Sequence, residues 1–193
     1  MTRLSRVSMS TALILGLSLA AGCASSSPPV AAPTKVAAAP IDRAEVEAAQ
    51  RAWCDGLIAI STESQRGGDA RAVATRVLAT AYAYDRGPVL FKPTMTHGAQ
   101  TFRMDQRGAL AYFVGGDAQY PDDHGFARKP WTACRAEVAG VHAAAGTTLA
   151  MGNVYLTRAD GTQVKVDKTF GYVRGPDARP RIVLHHSSLP YTP

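Results

Sequence analysis

From Trp131 onward the chain is punctuated by turn chemistry at nearly even intervals, and this spacing limits the fold more than any other feature. Gly146, Asp160-Gly161 and Gly175-Pro176 separate four segments, 132–143, 147–157, 163–174 and 181–188. Punctuation of this kind predicts an antiparallel β-meander. Upstream the apolar period is helical. Asp42 and Glu45 form a capping box, and Val46, Ala49, Trp53, Leu57 and Ile60 follow at helical spacing, predicting a helix to about Ser64. After Gly67-Gly68, Asp69 caps a second helix with Val73, Val77 and Ala81 on one face. Val89-Leu90-Phe91 and the run ALAYFV (Ala109 to Val114) read as short strands, with a polar, turn-rich loop over 117–130. Helices first and antiparallel strands after predict an α+β domain, its helices on one face of a curved, cone-shaped sheet with a pocket at the open end.

The first 40 residues carry a different signal. Arg3 and Arg6 precede the apolar stretch Ala12 to Leu19, and Ala20-Ala21-Gly22 supplies small residues for cleavage. Residues 1–22 therefore read as the signal peptide of an exported, periplasmic protein, too short for a membrane span. Leu19-Ala20-Ala21-Gly22-Cys23 resembles a bacterial lipobox, which makes Cys23 a candidate for lipidation and the lipid the only membrane attachment. Residues 23–40 hold four prolines and three serines without periodicity, a solvated tether, and 41–193 is left as one domain. Without the leader's two arginines the net charge of +6 falls to +4, unclustered and without interleaved aromatics, which argues against nucleic acid as a partner.

Cys54 falls in the first helix and Cys134 in a strand, about 80 residues apart. An oxidising compartment would permit a bridge, but the expectation here is two separate buried thiols.

The segment HHSSLPY (His185 to Tyr191) places four polar residues after Ile182-Val183-Leu184. Side chains alternate faces along a strand. Arg181, Val183, His185 and Ser187 should thus share one face, and Ile182, Leu184, His186 and Ser188 the other. Adjacent histidines that diverge cannot ligate one metal together. Thr94, Tyr112, Thr169 and Tyr172 add hydroxyls within short apolar runs, a composition suited to a small, weakly polar ligand.

LFKPT (Leu90 to Thr94), YFVGG (Tyr112 to Gly116), GFARKPW (Gly125 to Trp131), AMGNVY (Ala150 to Tyr155), TFGY (Thr169 to Tyr172) and HHSSLPY occur in this order. Together they resemble the iota-class carbonic anhydrases, across about Trp53 to Tyr191. Ala111 and Leu156 depart from residues common in relatives, and neither bears an assigned polar role. The resemblance implies a nuclear-transport-factor-two-like fold, shared with the association domain of calcium/calmodulin-dependent kinase, and a homodimer. It also implies that carbon dioxide and bicarbonate bind inside the cone, at Thr94, Tyr112, His185 and Ser187.

Hydration of carbon dioxide needs an activated water, a dry site for the gas and an outlet for the proton. The five histidines, His97, His124, His142, His185 and His186, show neither HxH nor HExxH spacing. The expected mechanism is therefore metal-free. Thr94, Tyr112 and Ser187 would hold a water and then the bicarbonate-like transition state, with His185 as proton acceptor. A zinc or manganese site built from scattered histidines is the alternative. A non-catalytic binding or dimerisation module of the same fold is the rival reading: a pocket closed by bulky residues would favour it, and an exposed His185 would favour the enzyme. A nucleotide hydrolase would need zinc ligands and a phosphate cradle, and neither motif occurs.

Overall fold

The computed structural model describes residues 39–144 and 146–193. The expected leader, Cys23 and nearly all of the tether lie outside them. Helix α1 (Arg43–Gln65) opens with the expected box: the Asp42 carboxylate accepts from the Glu45 backbone N–H at 2.9 Å, and the Glu45 carboxylate accepts from that of Asp42 at 3.1 Å. Its buried residues include Val46, Trp53, Leu57 and Ile60, each three to seven positions apart on one stripe. Helix α2 (Ala70–Ala81) starts at Asp69 as expected, but its fully buried stripe is Ala70, Ala74 and Leu78. Val77 instead flanks that stripe and packs against α1 at Gly56, where no side chain stands in its way.

Strands β1 (Leu90–Lys92), β2 (Trp131–Ala144), β3 (Thr147–Arg158), β4 (Gln163–Arg174) and β5 (Pro180–Ser188) form one sheet in the order β1-β5-β4-β3-β2. The meander from β2 to β5 is antiparallel, and β1 joins it in parallel along β5. This is the expected α+β class, with both long helices covering one face: α1 lies against β2, and α2 reaches β5.

Two expectations fail for local reasons. The run ALAYFV is not a strand; it belongs to helix α3 (Gln106–Val114). Asp105 caps that helix by accepting from the Gly108 N–H at 2.7 Å, and Gly115, at φ 65°, ends it. Ala109, Ala111, Tyr112, Phe113 and Val114 are all buried, so the helix is apolar almost all round and leaves no helical stripe to read. In β5 the alternation is broken once. Leu184 pairs with Gly171, but Ile182 pairs with Tyr172, so Val183 is an extra residue on the β5 side. The bulge turns Ile182, rather than Arg181 and Val183, to the buried face with His185 and Ser187.

The expectation of two separate thiols is also corrected. Cys54 and Cys134 are bonded as a disulfide, with Cα atoms 5.2 Å apart. The docking of α1 on β2 supplies the contact that sequence distance had argued against.

Candidate active site

His185 is 1% exposed at the centre of the buried sheet face. Its register partners are Phe91 on β1 and Phe170 on β4, and both rings stack on the imidazole at 4.6 Å between centroids. Trp53 from α1 meets it edge-on at 5.4 Å. Sheet register thus builds an aromatic sandwich around one polar ring. Both of its nitrogens are occupied: Nδ1 lies 2.8 Å from the Tyr82 hydroxyl, which also accepts from Trp53 Nε1 at 2.9 Å. Nε2 lies 2.9 Å from Lys168 Nζ and 3.2 Å from Ser187 Oγ. Burial, reinforced by the nearby Lys168 and His186, holds the His185 pKa well below 6.5, so the ring is neutral at neutral pH. The ring is thus buried rather than exposed, and its pKa lies below the near-neutral range expected of a proton acceptor there. His186, one residue on, points to the exposed face, as alternation requires.

Ser187 is fully buried, and its Oγ accepts from Lys168 Nζ at 2.6 Å. Lys92 Nζ donates to the Ser187 backbone carbonyl at 2.9 Å. Lys168 was not expected here. It sits opposite Ser187 on β4, 6% exposed, with its Nζ 4.9 Å from the centroid of the Trp53 ring. Desolvation, aided by the charge of Lys92, lowers its pKa from 10.5 to about 7. Among the described residues no carboxylate pairs with it.

Tyr112 and Thr94 are the other two candidates, and among the described residues no hydrogen bond joins them to His185, Ser187 or Lys168. Tyr112 stacks on Phe126 and meets Phe91 edge-on at 5.8 Å, so Phe91 touches both the Tyr112 phenol and the His185 ring. The Tyr112 hydroxyl is buried and has no hydrogen-bond partner. The half-buried Thr94 side chain and the Met95 backbone approach closely enough to oppose the rise that burial gives its pKa, but neither completes a bond of ordinary geometry. Of the other two candidate hydroxyls, Tyr172 is buried on the inner face, and Thr169 pairs with His186 on the outer one.

The chain as a whole has well-defined relatives. Residues 44–189 match the family described as metal-independent carbonic anhydrase. The chain belongs to the metal-independent carbonic anhydrases. A member of that family from Nostoc sp. (strain PCC 7120 / SAG 25.82 / UTEX 2576) is 41% identical over 189 residues, 94% of this chain and 92% of the relative. The crystal structure of the iota-carbonic anhydrase from a cyanobacterium, complexed with bicarbonate, superposes with a TM-score of 0.77 at 44% identity, covering 80% of this chain and 95% of the other. A nuclear transport factor 2-like superfamily protein from Salmonella enterica is similar at 11% identity and a TM-score of 0.47, over 77% and 91% of the two chains. Family membership answers the zinc or manganese alternative, and among the described residues no three metal-ligating side chains converge. It also overrides the exposure criterion for His185. A small uncharged gas does not need an open mouth, and dry rings around the imidazole suit it better.

Proposed function

We propose that the chain interconverts carbon dioxide and bicarbonate without metal at the cluster formed by Thr94, Tyr112, Lys168, His185 and Ser187. The single observation that carries this reading is the Tyr112 hydroxyl, buried and without a partner in a chain of this family. An orphaned buried hydroxyl costs about 1–3 kcal/mol, a cost that makes sense where a ligand oxygen completes the bond. Carbon dioxide lies against the aromatic rings, and the attacking water is held by Thr94, Tyr112 and Ser187. As the water oxygen bonds to carbon, negative charge spreads over the oxygens of the nascent bicarbonate. The Tyr112 hydroxyl, which has no partner of its own, is free to donate to them.

Stopped-flow hydration of carbon dioxide by the purified chain, with and without exhaustive chelation, tests this. Equal rates are expected. Activity that vanishes with chelator and returns only with zinc or manganese would overturn the metal-free mechanism, and an inert chain would leave the non-catalytic module.

Export to the periplasm with a lipid on Cys23 is proposed as well. The basic and apolar leader and the lipobox-like stretch support it, and so does the Cys54–Cys134 bridge, because disulfides persist in oxidising compartments. Cys23→Ser should move the protein from the membrane to the soluble fraction; an unchanged distribution would rule out the anchor.

A further inference from the structure

Hydration releases one proton per turnover, and the buried cluster contains two bases that could take it, His185 and Lys168. The direction of the hydrogen bonds distinguishes them. An indole N–H only donates, so Trp53 Nε1 fixes the Tyr82 oxygen as an acceptor. The remaining Tyr82 proton then has one partner, His185 Nδ1 at 2.8 Å. With Nδ1 accepting, the neutral imidazole carries its proton on Nε2 and has no lone pair left. Nε2–H lies 3.2 Å from Ser187 Oγ but closer, 2.9 Å, to Lys168 Nζ, and an ammonium at that distance would set donor against donor. The arrangement closes without a buried orphan when Lys168 is a neutral amine that bridges His185 and Ser187.

We propose that Lys168, acting through Ser187, is the group that gains the proton in each hydration cycle. The water O–C bond forms as its O–H bond breaks, and the proton passes to Ser187 Oγ while Ser187 gives its own to the Lys168 lone pair. Bicarbonate and the Lys168 ammonium are the products, and the ammonium then returns its proton to buffer. His185 Nε2–H has Ser187 Oγ as a second acceptor at 3.2 Å, so the amine lone pair can turn to Ser187 without stranding a donor. The ammonium, once formed, faces the Trp53 ring.

The groups around Lys168 are consistent with a base poised near neutrality. Lys92 from β1 repels the ammonium, as its effect on the Lys168 pKa shows. His185 from β5 is neutral, His186 points outward, and the Tyr82 phenol, with its pKa raised by burial, stays protonated. Tyr112 from α3, its pKa also raised by burial, meets Phe91 edge-on, and α1 contributes the uncharged indole. Because hydration requires the amine form, kcat/KM should rise with pH through about 7, where Lys168 loses its proton.

The inference rests on the carbonic anhydrase reading, and its test uses the full chain. Lys168→Met, which keeps length and apolar contact, should lower kcat/KM by ~10²-fold or more, the usual contribution of a positioned acid–base group. It should also abolish the rise near pH 7, with partial rescue by small amine buffers. In parallel, nuclear magnetic resonance of the wild type should show the Lys168 side chain titrating near 7, while His185 stays in the Nε2–H neutral form. An active wild type with Lys168→Met unchanged in rate and pH profile would overturn this inference alone, as would a Lys168 resonance that stays charged across that range. A wild type inert toward carbon dioxide would overturn the functional reading on which it stands.

Discussion

At the scale of the residue, Tyr112 separates stability from catalysis. Its hydroxyl is buried with no partner, so Tyr112→Phe removes a group that costs the free protein energy. The expected outcome is a Tm equal to or above that of the wild type, together with a kcat/KM lowered by roughly tenfold or more, as for one preorganised donor. A Tm that falls while activity holds would show the hydroxyl to be structural. The residues differ in how legible they were in the sequence. His185 and Ser187 could be placed on one face by alternation alone, because the bulge at Val183 lies upstream of both. Lys168 could not, although it shares the inward positions of β4 with Val166, Phe170 and Tyr172. A lysine in a strand is read by default as reaching for solvent, and only the partners from other strands mark this one as buried. The same holds for Tyr82, whose role depends on Trp53 and His185, both distant in sequence.

At the scale of the element, punctuation was the reliable guide and short apolar runs were not. Strands β2, β3 and β4 end or start within two residues of Gly146, Asp160-Gly161 and Gly175, and β5 starts four residues after Pro176. Helix α3 was missed because nine residues with an apolar surface nearly all round carry no period, though Asp105 offered a cap that could have been noticed. The bulge between Val138 and Gly140 in β2 is another feature visible only in three dimensions. There the register slips, and a Cβ on the facing Gly152 would meet the Glu137 carbonyl oxygen, so the backbone of β2 can cross only a glycine. The disulfide ties α1 to β2 across 80 residues of sequence. Closing a loop of that length contributes about 2–5 kcal/mol through the unfolded chain, and it fixes Trp53, one residue from Cys54, edge-on to the imidazole.

At the scale of the whole molecule, the uncovered face of the sheet supports the homodimer that the family resemblance implies. Opposite the helices, Leu149, Gly171, Leu184 and Leu90 pair in one row across four strands, and Met151, Thr169, His186 and Lys92 in the next. Leu90 is 54% exposed and Met151 62%. Apolar side chains at this exposure, contiguous across a sheet, are the usual mark of an interface. We propose that two copies pair through this face. Met151→Glu should then shift the sedimentation coefficient from dimer to monomer, and a wild type that sediments as a monomer at all concentrations would refute the pairing. The stacking of Lys168 on Trp53 has a consequence of another kind, visible from outside the molecule. Of the two tryptophans, Trp131 lies beside Arg158 and Phe126, whereas the face of Trp53 is turned to the one amine that cycles between neutral and charged. Each turnover briefly places a cation over that indole and then removes it. The light emitted by Trp53 is thereby coupled to the protonation of the site, and the protein carries its own optical indicator of the catalytic cycle.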